Sequence, residues 1–145
     1  MDRNDFIYQA IQLALENVDD GGGPFGAVVV KDGHVVATGT NRVTPTLDPT
    51  AHAETVCIRN AGRRRDWHEL TLVSTLSPCI MCTGTSLLFR IPRVVIGESE
   101  NFLGAEGLFA QRGVELIRLH DPRCIAMMRK FIAERPELWN EDIGM

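Results

Sequence analysis

Apolar side chains at Phe6, Ile7, Ala10, Ile11, Ala14 and Leu15 recur at helical spacing with polar residues between them, and predict an amphipathic helix over residues 4–17. The run Asp19-Asp20-Gly21-Gly22-Gly23-Pro24 ends it with strong breakers. The pattern then changes character. Ala27-Val28-Val29-Val30 and Val35-Val36-Ala37-Thr38 are β-rich runs on either side of Asp32-Gly33, which predicts a hairpin. Residues 41–50, with Pro45 and Pro49, read as a loop. A helix follows from Pro49 or Thr50 to about Ala61, with Ala51, Ala53, Val56, Cys57 and Ile58 available to pack.

Beyond the turn at Gly62-Arg63-Arg64-Arg65, residues 70–75 predict a short buried strand. Pro78 is suited to begin a helix that runs to about Phe89, because its missing N–H would be unpaired there in any case. Residues 93–97 and 114–118 predict two more strands, separated by a short helix over 105–111. Residues 122–134 predict a further helix, and Pro136 opens a last one. The order is α-β-β-α-β-α-β-α-β-α-α. Strands alternating with helices after a leading hairpin predict an α/β fold: one domain over residues 1–145, with a central mixed five-stranded sheet between helical layers in an α/β/α sandwich. No internal repeat or compositional break argues for a second domain.

Composition narrows the function classes. The chain has 145 residues, 44% apolar and 23% charged, with a formal net charge of −4. An acidic balance argues against a general nucleic-acid binder. No apolar run approaches the ~20 residues of a bilayer span, and the start Met1-Asp2-Arg3-Asn4-Asp5 lacks the basic and apolar regions of a signal peptide. A cytoplasmic protein is expected. In a reducing compartment, the Cys-x-x-Cys pair among the four cysteines points to metal or redox chemistry rather than to a structural disulfide.

Two segments carry the chemistry: His52-Ala53-Glu54 and Pro78-Cys79-Ile80-Met81-Cys82. A catalytic zinc takes three protein ligands and keeps a fourth position open. One imidazole and two thiolates, His52, Cys79 and Cys82, match that count. Cys79 and Cys82 at i, i+3 face one side of a first helical turn, whose positive end favours thiolate. Glu54, two residues after His52, is a poor co-ligand but well placed to move protons beside the metal. The competing readings are a thioredoxin-like redox pair, which does not call for the upstream His-x-Glu, and a structural zinc completed by Cys57, His68 or Cys124. Of these, Cys57 reads as core and His68, beside Trp67, as a loop residue.

His-x-Glu followed by Pro-Cys-x-x-Cys is the signature of the zinc nucleobase deaminases, and the chain resembles the cytidine/deoxycytidylate deaminase superfamily over nearly its whole length. From Leu76-Ser77-Pro78-Cys79 onward it is most similar to the fungal-type cytosine deaminases: Ile91-Pro92-Arg93, Glu98, Asn101-Phe102, Gln111-Arg112-Gly113, Glu134-Arg135-Pro136 and Glu141-Asp142-Ile143-Gly144 all match. The resemblance implies Zn2+ on His52, Cys79 and Cys82, with Glu54 as the catalytic proton carrier. It implies a free nucleobase substrate held by Asn41, the Ala53 amide, the Ser77 carbonyl, Phe102, Trp139 and Asp142. It also implies a homodimer; the acidic balance and the lack of a long apolar run argue against nucleic acid and against a membrane as partners. Asp48-Pro49-Thr50-Ala51-His52-Ala53-Glu54 instead resembles the bacterial guanine deaminases. Ala53, Phe25 and Asn140 each depart from the fungal pattern. On residue type alone, Phe102 and Trp139 would be packing residues, Asp142 a solvated tail, and Arg63-Arg64-Arg65 a solvated turn.

Overall fold

A computed structural model describes residues 3–145; Met1 and Asp2, the start of the segment read above for a targeting signal, lie outside the described residues. The helices and strands in chain order are α1 (Arg3–Asp19), β1 (Gly26–Lys31), β2 (His34–Thr40), α2 (Val43–Thr46), α3 (Ala53–Ala61), β3 (Thr71–Ser74), α4 (Ile80–Leu88), β4 (Arg93–Ile96), α5 (Glu106–Gln111), β5 (Glu115–Arg118), α6 (Pro122–Glu134) and α7 (Pro136–Asp142). A single 3-10 turn, Trp67–Glu69, precedes β3.

The sheet has five strands in the order β2-β1-β3-β4-β5. Strand β1 is antiparallel to both β2 and β3, while β3, β4 and β5 are parallel. The expected mixed sheet is therefore present. The hairpin turns at Asp32 and Gly33, both at positive φ (49° and 78°), as a two-residue type I′ turn requires.

Period-two alternation divides the sheet into two apolar faces. Ala27, Val29, Leu72, Val94 and Ile96 pack with Ala53, Cys57 and Ile58 of α3 and Phe109 of α5. Val28, Val30, Val73 and Val95 pack against Phe6, Ile7, Ala10 and Ile11 of α1 and Cys124 of α6. Helices thus cover both faces, giving the three layers. The strands β3 and β4 are buried from both sides over residues 72–74 and 94–96, without the inside–outside alternation of a half-exposed strand.

Details of several elements differ from the periodic reading. In α1 the buried stripe passes through Ala14 to Asn17, and Leu15 is 45% exposed. Asn17 is buried because its amide donates to Gly23 O and Asn41 O, both at 2.8 Å. The 41–50 loop contains the one-turn helix α2, in which Pro45 sits within the first turn, where its lack of an N–H costs nothing. Helix α3 starts at Ala53, later than Pro49 or Thr50. The Asp48 carboxylate accepts from the Thr50 amide (2.9 Å) and hydroxyl (2.7 Å), and Ala51 O accepts the Arg42 amide at 2.8 Å, so this segment is held in a non-helical turn.

The strand directions decide where function collects. Because β1 runs opposite to its neighbours, the start of β1 and the ends of β2, β3 and β4 lie along one edge of the sheet. Phe25, Asn41, Ser77 and Phe102 follow or precede those strand ends, and so arrive together. Helix α3 packs closely over this edge: a Cβ on Gly39 would stand 2.3 Å from Ala53 O and 2.4 Å from Cys57 N.

Candidate active site

The two chemistry-bearing segments occupy equivalent positions on two helices. His52 is the N-cap of α3 (φ −70°, ψ 154°) and Cys79 the N-cap of α4 (φ −68°, ψ 174°). Both residues are extended, and each carbonyl accepts the first helical hydrogen bond, from Val56 N and Thr83 N at 2.8 Å. Neither side chain caps its own helix; each turns outward toward the other. Helix α4 thus begins two residues after Pro78, later than its sequence suggests. The Pro78 carbonyl is instead engaged by the Ala105 amide (3.2 Å) and the Thr83 hydroxyl (3.3 Å). Cys79 and Cys82 stand at the cap and third positions, the same i, i+3 relation as expected.

His52 Nδ1 and Cys79 Sγ are 3.5 Å apart. The ligand atoms of His52, Cys79 and Cys82 all lie within 4.8 Å of one another, the one such group among the described residues. A nitrogen at about 2.0 Å and a sulfur at about 2.3 Å from a tetrahedral ion are themselves about 3.5 Å apart, so the spacing suits zinc. The electrostatics agree. The Cys82 thiol hydrogen-bonds Cys79 and holds it down at about 4, while the shared proton drives Cys82 upward. Burial pulls the His52 imidazole down, but the adjacent Cys79 sulfur more than offsets this and leaves it raised. The two sulfurs and the imidazole thus face one another where a dication can take its place among them. Thr55 Oγ1 lies 3.3 Å from Cys82 Sγ.

The alternatives for a fourth protein ligand fall away on position. Cys57 is buried against the sheet and donates to Ala37 O at 3.4 Å. Cys124 is buried on the opposite face. His68 is exposed on the 3-10 turn beside Trp67, which stacks on Phe89.

Glu54, at the second position of α3, is 7% exposed and lines the pocket beside His52 and Cys79. Burial, reinforced by negative charge at Cys79, pushes its carboxyl up to about 7. Around it, Asn41, Ala53, Ser77, Phe102, Trp139 and Asp142 all line the same pocket, whose empty space is about 350 Å³ counted to its mouth. All ten residues singled out from the sequence are therefore brought together. Phe25, Leu76 and Ile143 also line it. Phe25 was noticed only as a departure from a pattern, and nothing in the residues flanking Leu76 or Ile143 marks them. Asn140 is exposed and takes no part in the lining.

The aromatic wall is continuous. Trp139 stacks on Phe25 (centroids 6.2 Å, interplanar 18°) and meets the Phe102 ring edge-on (5.6 Å, 87°). On the polar side, Asn41 Oδ1 accepts the Val43 amide at 3.0 Å, which aims Nδ2 the other way, to Asp142 Oδ2 at 3.4 Å. Asp142 is raised by burial, against the pull of His52. It is a pocket residue on α7, not a solvated tail. Arg63 and Arg65 are exposed, and Arg64 pairs with Asp66, so that turn is a surface feature.

Comparison with known proteins is consistent with this geometry. A family model for the cytidine and deoxycytidylate deaminase zinc-binding region matches residues 1–98. A cytosine deaminase of Candida albicans is 42% identical over 138 residues, covering 93% of this chain and 92% of the relative. A guanine deaminase of Bacillus subtilis is 42% identical over 113 residues, covering 75% and 72%. A solved structure from work on A-to-I editing by tRNA:A34 deaminases superposes with a TM-score of 0.75 at 29% identity, covering 86% of this chain and 99% of that one. The paired helix caps, the buried glutamate and this match over most of the chain make the protein a hydrolytic deaminase, and it belongs to the cytidine and deoxycytidylate deaminase zinc-binding family.

Proposed function

We propose that the enzyme removes the exocyclic amine from a free nucleobase, converting cytosine and water to uracil and ammonia. The observation that carries this reading is Asp142, a half-buried carboxylate on α7 that reaches Asn41 across the pocket. A carboxylate there suits a ring N1–H, which a free base has and a nucleoside lacks. The small aromatic pocket supports a single planar ring.

Zinc on His52, Cys79 and Cys82 supplies a Lewis acid that makes water a usable nucleophile near neutral pH. The remaining work belongs to the chain. Glu54 takes a proton from the attacking water and delivers it to ring N3 as the C4 centre becomes tetrahedral; it then takes the proton of the new C4 hydroxyl and passes it to the amine, which leaves as ammonia while C4 becomes a carbonyl. Asn41 Nδ2 and the Ala53 amide hold the 2-oxo group, the Ser77 carbonyl receives the exocyclic amine, and Phe102 stacks on the ring while Trp139 closes over it.

Guanine or a related amino-heterocycle is the second reading, favoured by the similarity to the Bacillus subtilis guanine deaminase. A tRNA substrate fits poorly with the acidic net charge of −4. The four free cysteines suit a reducing cytoplasm. A homodimer is supported by Ile80, Leu88 and Phe89 on and beside α4, which are 67%, 73% and 39% exposed.

Ammonia release from a panel of free bases and their nucleosides tests the reading. Cytosine is expected to turn over and cytidine not to. Asp142→Ala should lower kcat/KM for the base about 10–100-fold, the effect of losing a hydrogen bond to a charged group. Activity on guanine without activity on cytosine would overturn the first reading in favour of the second, and an unaffected Asp142→Ala variant would remove the carboxylate's assigned role.

A further inference from the structure

Behind the pocket lies a second carboxylate that the chemistry above does not use. Glu106, the first residue of α5, is 4% exposed. Both of its oxygens are occupied: the Ser77 hydroxyl donates to Oε2 at 2.7 Å, and Arg118 Nε donates to Oε1 at 2.6 Å. Ser77 Oγ in turn accepts the Gly104 amide at 2.9 Å. A chain of bonds thus runs from Arg118 on β5, through Glu106 on α5, to Ser77 between β3 and α4, and on to the loop that carries Phe102.

The loop rests directly on the segment before Cys79. Ala105 N donates to Pro78 O at 3.2 Å, and a Cβ on Gly104 would stand 1.8 Å from that same oxygen. Two of the three bonds have only one possible direction. Arg118 and the Gly104 amide can only donate. The Ser77 hydroxyl spends its single proton on Glu106, whose two oxygens both accept. Charged acceptors make the stronger and shorter bonds of this kind.

We propose that Glu106 is a positioning residue for substrate. By fixing the Ser77 rotamer, it sets the Ser77 segment, at the amine edge of the bound ring, in register with the Phe102 loop that covers the ring's face. Arg118 anchors the other end of that carboxylate through its ion pair. The proposal rests on the free-base reading only for the identity of the ring.

Glu106→Gln, Ser77→Ala and the double variant test it. A glutamine must turn an NH2 donor toward Arg118 or Ser77, so it removes the charge and breaks or reverses one bond of the chain while preserving shape. The expected result is full zinc content in all three. The Gly104 amide should exchange with solvent about tenfold faster than in wild type. KM for the best base of the panel should rise about tenfold with kcat little changed, as expected for a misplaced ring. The double variant should be no worse than the worse single one, because the residues act as one unit. Unchanged Gly104 exchange, an unchanged KM, or multiplying effects would overturn the proposal, as would a loss of activity that merely follows a loss of zinc. Should Glu106→Gln fail to fold, Ser77→Ala, which removes one hydroxyl, gives the same two readouts. If wild type turns over none of the bases, the substrate reading falls, and Gly104 exchange still decides the coupling.

Discussion

At the scale of single residues, the site is defined by what each side chain declines to do. His52 and Cys79 occupy N-cap positions, where a polar side chain ordinarily bonds its own helix, and neither does. Their freedom is what lets two helices share three ligand atoms. Glu54 is nearly buried among them, with a carboxyl pushed up to about 7 mainly by desolvation. Zinc binding needs no carboxylate at that position, so its chemistry is separable from the metal's. Glu54→Gln is expected to retain stoichiometric zinc by elemental analysis and to lose about 10²–10⁴-fold in kcat, the usual worth of a general acid–base group. A fully active, zinc-loaded variant would remove Glu54 from the proton path.

At the scale of elements, termini and loops carry the function while strands and helix bodies hold them still. The loop after β4 illustrates this. The Glu98 carboxylate, 1% exposed, accepts the Glu100 amide (2.8 Å), the Asn101 amide (3.0 Å) and the Asn101 side chain (2.9 Å), and so buckles the turn that leads into Phe102. Helix α6, which leads to the pocket helix α7, is started in a similar way. Asp121 accepts the Arg123 amide at 2.8 Å and pairs with the Arg123 guanidinium at 2.7 Å, which holds its carboxyl below the ordinary range. A carboxyl lowered in the folded state stabilises above its unfolded pKa and ceases to do so as pH falls through the folded value. Asp121→Ala should therefore cost about 1 kcal/mol at pH 7. The difference from wild type should shrink once pH drops below the ordinary carboxyl value of about 3.9. Urea denaturation of both proteins across that range measures it. A difference that grew toward low pH would contradict the assignment.

At the scale of the whole molecule, the metal ligands join helices that arise 27 residues apart in the chain. An ion held by both binds the folded state alone and stabilises it by mass action. Chelation should abolish turnover and lower Tm by about 5–10 °C. Zinc should restore both and magnesium neither, since thiolate ligands do not suit magnesium. Thermal scans with and without chelator decide this. The proposed dimer is tested at the same scale: Leu88→Asp should shift the sedimentation coefficient of a dimer to that of a monomer, and a wild-type protein that already sediments as a monomer would dismiss it. No helix among the described residues is long and apolar enough to cross a membrane.

The alternation and helical spacing of apolar residues were enough to give the element order apart from the one-turn α2, the Asp32-Gly33 hairpin and the α/β class, because burial of one face imposes those periods locally. The metal trio was legible for a related reason: His-x-Glu and Cys-x-x-Cys are short-range patterns, set by the geometry of a single helix start. The cap positions were not, since an Asx turn at Asp48 and the engagement of Pro78 O by Ala105 are contacts that spacing does not encode. Nor was the pocket as a place. Phe25 and Leu76 become lining because an antiparallel β1 brings one strand start and three strand ends to a common edge, and Ile143 because α7 packs back over that edge. The bond chain from Arg118 through Glu106 to Ser77 is of the same kind. Its members come from separate elements, and only their packing in three dimensions turns an ordinary ion pair into part of the site.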